Sequence, residues 1–105
     1  MSIDTQSEKL VDRQLKALAD PARRRIIELL RSKGSCSCES VSAEDCGMCV
    51  CDLESNLKLT QPTITHHVQV LRAAGLIGTR KMGRWLYCRR NEQALDRLAA
   101  WLRKL

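Results

Sequence analysis

Apolar residues recur at helical spacing in successive stretches of this chain, and each stretch stops at a helix-breaking residue. The first helix is expected to start at Ser7 and to stop at Asp20, because Pro21 disfavours helical geometry in the residue before it. Pro21 suits the opening turn of a second helix, with Asp20 as its cap and Gly34 as its end. The arginines at positions 23–25 are expected on its exposed early turns. The pattern predicts a mainly helical chain.

Two more helices are expected after residues 34–48, a segment that is polar, irregular and without an apolar period. A short helix is predicted from Val50 to Lys58. After a tight turn, Thr60 is predicted to cap a further helix that ends at Gly75. His67 falls on the apolar side of this helix, which indicates a core histidine with a hydrogen-bonded ring.

Strand-like segments replace the helical period after this point. The segments from Leu76 to Arg80 and from Arg84 to Arg90, joined through residues 81–83, predict a two-stranded β-hairpin. Asn91 is then expected to cap a last helix. The apolar stripe of that helix is wide for a monomer, which indicates that a partner covers it.

The order of helix, tight turn, helix and hairpin is that of a winged helix-turn-helix, in which the second helix of the pair lies in the major groove of DNA. The predicted fold is mainly α, in the α+β class, with about five helices and a two-stranded β-wing. Polar groups early in the reading helix can bond to base edges or phosphates, and basic residues of the wing can bind the phosphate backbone. The predicted DNA contacts are Gln61, Thr63, Thr65, His66, Lys81 and Arg84.

Length and charge agree with this interpretation. The chain of 105 residues is predicted to be one domain, residues 1–105, and its net charge of +6 favours nucleic acid as a partner. No apolar run approaches the ~20 residues that a membrane helix needs, and residues 1–8 lack the apolar stretch of a signal peptide. We therefore expect a cytoplasmic protein without a membrane partner or a protein substrate. Since no anion loop or redox motif of an enzyme accompanies the cysteines, we do not expect an enzyme.

Five of the six cysteines lie in one segment that leads directly into the predicted helix-turn-helix. Without an export signal, a disulfide framework is not favoured. Thiolates select thiophilic ions, and three of them suit a pyramidal As(III) site whereas four suit a tetrahedral Cd(II) or Zn(II) site. Cys88 shares a strand face with Leu86 and is predicted to pack in the core. The candidate metal ligands are Cys36, Cys38, Cys46, Cys49 and Cys51.

The spacing of Cys49 and Cys51 bears on how an ion would act. Residues two apart in a regular helix point well away from each other, so both can bind one ion only if the helix start is unwound or strained. Ion binding is therefore expected to deform the helix start and to shift the population away from the DNA-competent state.

Four segments of the chain, residues 18–23, 49–53, 61–67 and 71–77, carry a resemblance to a known family. Through them the chain resembles the ArsR/SmtB family of metal-responsive repressors over nearly all its length except residues 34–48. The resemblance implies a homodimer built from the first and last helices, operator DNA binding without metal, and release when metal binds. The family's arsenic and cadmium sensors use the same cysteine pair at the same helix start. The implied dimer interface contains Leu15, Leu18, Leu95, Leu98, Trp101 and Leu102.

The chain departs from the family's arsenic pattern, which often has a third cysteine shortly after the pair, because residues 52–56 contain none. A further ligand is then expected from Cys46, or from Cys36 or Cys38. As(III) or Sb(III) is the preferred inducer, with Cd(II), Pb(II), Hg(II) and Zn(II) as alternatives. A redox or sulfide sensor using Cys46 and Cys49, a structural zinc knot and an iron–sulfur ligand set also remain open. A zinc site on the last helix is not expected, because residues 91–105 contain no histidine.

Overall fold

Helices form most of the structure, and a small antiparallel sheet closes one side of it. The computed structural model describes residues 5–31, 48–83 and 85–105, so Cys36, Cys38, Cys46 and Arg84 lie outside the described residues. In chain order the described elements are α1 (Thr5–Leu18), α2 (Pro21–Leu30), β1 (Met48–Cys49), α3 (Val50–Leu57), α4 (Gln61–Ala73), β2 (Ile77–Met82), β3 (Trp85–Arg90) and α5 (Glu92–Arg103).

Side-chain caps start two of the helices, as the sequence predicts. The Asp20 carboxylate accepts hydrogen bonds from the backbone N–H groups of Ala22, at 2.8 Å, and Arg23, at 3.3 Å. Desolvation tends to raise the pKa of Asp20, but these backbone bonds, with the nearby charges, hold it below its usual value. At the start of α5, Asn91 Oδ1 accepts from Ala94 N–H at 3.2 Å.

The residues just before and just after α4 lie at the positions that the sequence predicts. Gly75 has a φ of +76°, the left-handed conformation expected of a residue that ends a helix. Thr60 precedes α4 as predicted, but its side chain makes no capping bond to the backbone. Its Oγ1 instead lies 2.9 Å from Thr63 Oγ1 in a side-chain hydrogen bond.

The sheet contains the predicted hairpin and one strand that the sequence did not reveal. Strands β2 and β3 pair from Ile77 opposite Arg90 to Met82 opposite Trp85. The short strand β1 pairs with the other edge of β3, giving the order β1-β3-β2. Two residues at the end of an irregular segment carry no alternation of apolar and polar positions, so β1 leaves no sequence signal.

The core lies where α2, α3 and α4 meet the sheet. Cys88 is fully buried there, and burial raises the pKa of its thiol to about 12. The prediction that Cys88 packs in the core is therefore confirmed. No helix among the described residues has the length and apolar character needed to cross a membrane. Other fully buried side chains include Ile26, Leu53, Ile64, Leu71, Leu76 and Tyr87, the last at 2% exposure.

Candidate metal centre and nucleic-acid interface

Two thiols meet at the start of α3. Cys49 is the residue just before the helix, with an extended backbone (φ −68°, ψ 147°), and Cys51 lies in the first helical turn. Their Sγ atoms are 2.8 Å apart and share a hydrogen bond. Cys49 is 1% exposed, whereas Cys51 is half-buried and reachable from solvent.

This geometry changes the expectation drawn from the spacing of the two cysteines. In a regular helix the pair would diverge, but Cys49 precedes the helix, so its side chain turns toward Cys51 without any unwinding of α3. Two sulfurs bound to one ion at ~2.3 Å each, at a tetrahedral angle, lie about 3.8 Å apart. The observed pair is closer than that, at 2.8 Å, so a shared ion would have to move the two sulfurs apart by about 1 Å.

Asp52 joins the two thiols as a third potential ligand. One sulfur from each cysteine and one carboxylate oxygen of Asp52 all lie within 4.8 Å of one another, and Asp52 is half-buried. These three groups can hold a metal ion. Sequence reasoning looked for a further cysteine and missed this carboxylate, although an acidic residue directly after the second cysteine was a visible signal.

The residues predicted to read DNA lie at the start of α4. Gln61, Thr63 and His66 are exposed, and Thr65 is half-buried. Polar groups in this position can bond to base edges or phosphates when the helix enters a groove. In the wing, Lys81 is exposed on β2, at a distance along the chain from the reading helix.

His67 occupies the position that its apolar neighbours predicted. It is 9% exposed, and its Nδ1 accepts a hydrogen bond from Arg23 Nε at 3.1 Å. The prediction of a core histidine with a hydrogen-bonded ring is confirmed. The expectation that Arg23 is exposed was wrong, because only 17% of its side chain is exposed and its guanidinium turns inward to His67.

The residues predicted to form a dimer interface differ in exposure. Leu15 and Leu102 are exposed, at 39% and 45%, on α1 and α5. Leu98 is buried at 5% within the core of the chain itself, so it offers little surface to a partner. The other three predicted residues, Leu18, Leu95 and Trp101, are partly buried against the core.

Known proteins share this fold and this sequence pattern. The family model described as bacterial regulatory protein, arsR family, matches residues 43–79. An uncharacterized HTH-type transcriptional regulator of Bacillus subtilis, YbzH, is 31% identical over 90 residues, which are 84% of this chain and 90% of that protein. The chain belongs to the arsR family of transcriptional regulators.

Two further family members bear names that concern arsenic. The arsenical resistance operon repressor of Escherichia coli is 34% identical over 90 residues, or 86% of this chain, and the chain spans 63% of that repressor's length. A solved structure described as a possible transcriptional regulator for arsenical resistance is 33% identical, with a TM-score of 0.68 over 87% of this chain and 81% of that one.

These comparisons bear on two predictions made from the sequence. The winged helix-turn-helix fold is confirmed by the described helices and hairpin and by the solved family structure. The expectation that the chain is not an enzyme is confirmed too, because its relatives are regulators of transcription.

Proposed function

We propose that this arsR-family protein is a repressor that binds operator DNA as a homodimer and releases it when a thiophilic ion binds to Cys49 and Cys51. The observation that carries the proposal is the pair of thiol sulfurs 2.8 Å apart at the first helix of the helix-turn-helix. The arsenical resistance names of two relatives support As(III) or Sb(III) as the inducer. The donor set would also take Cd(II), Pb(II), Hg(II) or Zn(II).

Each ligand contributes differently in this proposal. Cys49 is fixed by its backbone in β1, whereas Cys51 is the half-buried thiol that meets an incoming ion first. A bound thiophilic ion supplies bonds that replace the thiol protons. Asp52 adds a carboxylate oxygen to the two sulfurs, and we propose Cys46, with Cys36 and Cys38, as further donors. An ion that prefers one arrangement of these groups shifts the population away from the DNA-binding state.

DNA binding would use the start of α4 and the wing. Gln61, Thr63, Thr65 and His66 would contact bases or phosphates, and Lys81 and Arg84 would contact the backbone. With a net charge of +6, the affinity is expected to fall as salt rises, because bound cations leave the phosphates when the protein binds. The proposed dimer interface uses Leu15, Leu18, Leu95, Trp101 and Leu102, whereas Leu98, the sixth residue predicted for it, packs in the core of the chain itself.

The test is DNA binding measured by fluorescence anisotropy on the protein's own promoter fragment. Metal-free protein is expected to bind, and arsenite, antimonite or cadmium is expected to release it. Cys49→Ser and Cys51→Ser should lose release while they keep metal-free DNA binding. Cys88→Ala is the matched control, because its thiol is buried in the core, and it should respond like the unmodified protein. DNA binding that no thiophilic ion alters would contradict the proposal.

The ligand set can be resolved in the same system. Charge-transfer absorption between thiolate and metal reports the number of sulfurs bound, and single Cys→Ser variants at positions 36, 38 and 46 would show which of them takes part. Asp52→Asn keeps the side-chain shape and removes the charge, so weaker binding of Cd(II) by this variant would assign Asp52 as a ligand.

A redox sensor is the second candidate, and the short distance between the two sulfurs favours it. Hydrogen peroxide would oxidise two thiols to a disulfide, taking two electrons and two protons and forming water. Release of DNA by peroxide in the presence of a chelator, with reversal by a reducing thiol, would support this function. Release that needs an ion and persists under reducing conditions would contradict it.

A further inference from the structure

A cavity of about 190 Å³ opens directly beside the thiol pair. Its walls come from the three elements that matter for the proposed function. The start of α3 supplies the two cysteines, the start of α4 supplies Gln61 and Thr65, and strand β3 of the wing supplies Leu86. The proposed ion site therefore shares one cavity with both elements that are predicted to contact DNA.

Backbone pairing between strands also connects the cysteine pair to the wing. Cys49 in β1 pairs with Tyr87 in β3, the residue next to Leu86. On the other edge of β3, Leu86 pairs with Lys81, a predicted phosphate contact of the wing. Tyr87 is almost fully buried, so β3 cannot slip in register without exposing it. A displacement at the cysteine pair would reach the wing through one strand.

Leu86 is the wall residue best placed to carry such a displacement. Its side chain is apolar and half-buried against the core, and it has no predicted contact with DNA or with an ion. Leu86 faces the cavity on one side and packs against the core on the other, so a group that enters the cavity would push it against close-packed side chains, which transmit strain. Groups that enter the cavity on an ion held by Cys49 and Cys51 would press against Leu86 and Thr65 together.

We propose that Leu86 is a positioning residue that couples ion binding at Cys49 and Cys51 to the wing. The inference rests on the proposed function, since it concerns how the same site controls DNA binding. Leu86 is neither one of the proposed DNA contacts nor one of the proposed ion ligands. Its effect therefore belongs to the difference in DNA affinity between the two states, not to either affinity alone.

The experiment measures the DNA dissociation constant with and without sodium arsenite, and the arsenite stoichiometry, on the full chain. In the unmodified protein the ion is expected to weaken DNA binding by a factor within the roughly 5–150-fold range typical of coupled sites. Leu86→Ala should reduce this factor to near one, and Leu86→Val to an intermediate value. Metal-free DNA affinity and ion stoichiometry should stay unchanged, and Leu86→Met, which keeps the volume, should restore the factor.

Leu29→Ala is the matched control, because Leu29 is also half-buried against the core but lies on α2, outside the cavity. The Leu29→Ala variant should be less stable than the unmodified protein, but arsenite should still weaken its DNA binding by the full factor. Equal loss of coupling in Leu29→Ala would overturn the inference, since general loosening would then explain it. If arsenite still weakens DNA binding by the full factor in both Leu86→Ala and Leu86→Val, the inference is overturned while the proposed function stands. If arsenite does not release the unmodified protein, the same measurements are made with the thiophilic ion that does; no release by any thiophilic ion would overturn the proposed function and the inference with it.

Discussion

Arg23 connects its own helix to two others through one guanidinium. It belongs to α2, its Nε donates to His67 in α4, and its Nη1 donates to the carbonyl oxygens of Lys16 and Ala17 at the end of α1, at 3.4 and 3.3 Å. These bonds need the planar fork of an arginine. They fix the reading helix against the rest of the chain, since His67 lies one residue after the predicted DNA contact His66.

Replacing Arg23 by lysine should therefore destabilise the protein. A lysine keeps the charge but cannot reach His67 and both carbonyls together, so His67 loses its donor. We expect Arg23→Lys to lower the free energy of unfolding by about 1–3 kcal/mol, measured by urea denaturation. Arg25→Lys is the control, because 53% of the Arg25 side chain is exposed, and it should change stability by less than about 0.5 kcal/mol. Equal losses in the two variants would contradict this account of Arg23.

The cap of α2 gives a prediction with a pH dependence. Asp20→Ala leaves two backbone N–H groups at the start of α2 without their acceptor and should cost about 1 kcal/mol at pH 7. The folded state lowers the pKa of Asp20, so this carboxylate stabilises the protein above the unfolded value of 3.8 and ceases to do so as the pH falls through the folded value.

Urea denaturation at several pH values checks this prediction. The difference in stability between the unmodified protein and Asp20→Asn should shrink as the pH falls from 5 toward and below 3.8, because asparagine caps without a charge. A difference that stays constant over this interval would show that the charge of Asp20 contributes nothing.

At the scale of elements, helices were predicted well where one residue determines the local backbone. Asp20 and Asn91 were identified as caps because their side chains accept bonds from nearby backbone groups, which is a local property. Strand β1 was missed because its pairing with Tyr87 and Cys88 depends on residues about forty positions away. The same long-range pairing fixes the extended backbone of Cys49, so the approach of the two sulfurs could not be derived from their spacing alone.

The turn between α3 and α4 contains a residue in an unfavourable conformation. Lys58 ends α3 with a φ of +55°, and its N–H bonds to the Glu54 carbonyl oxygen at 2.9 Å. The left-handed backbone raises the conformational free energy of an L-residue by about 1 kcal/mol or more, whereas glycine adopts it without this cost. Lys58→Gly is expected to raise the free energy of unfolding by roughly 0.5–1 kcal/mol in thermal or urea unfolding.

A second glycine variant controls for the intrinsic flexibility of the residue. Lys9 is exposed on the regular helix α1, where glycine should lower stability by about 1 kcal/mol. A loss of stability in both variants would show that the turn does not strain Lys58.

At the scale of the whole molecule, the two terminal helices leave leucines in water. Leu10 and Leu15 on α1 and Leu102 on α5 are each 39–45% exposed, and Leu105, just after α5, is 85% exposed. Apolar side chains gathered on two helices indicate a surface that a partner covers. A second copy of this chain is the proposed partner, and its interface would place two reading helices on one DNA molecule.

Charged substitutions on this surface should separate the dimer. Leu15→Glu and Leu102→Glu are expected to give monomers in sedimentation experiments and to weaken binding to the promoter fragment by tenfold or more, on the order of 1.4 kcal/mol. Gln93→Glu introduces the same charge at an exposed position of α5 and should leave the dimer intact. An unmodified protein that sediments as a monomer, or variants that bind DNA as tightly as the unmodified protein, would contradict the proposed dimer.

The pairing of Cys49 with Tyr87 also has a consequence for newly made chains. During translation the two cysteines leave the ribosome well before strand β3, so their backbone has no strand to pair with until most of the chain has been synthesised. A nascent chain halted before residue 85 would carry both thiols without the geometry that brings them together. Ion responsiveness should therefore arise late in synthesis, once the wing has emerged, and not when the cysteines first appear.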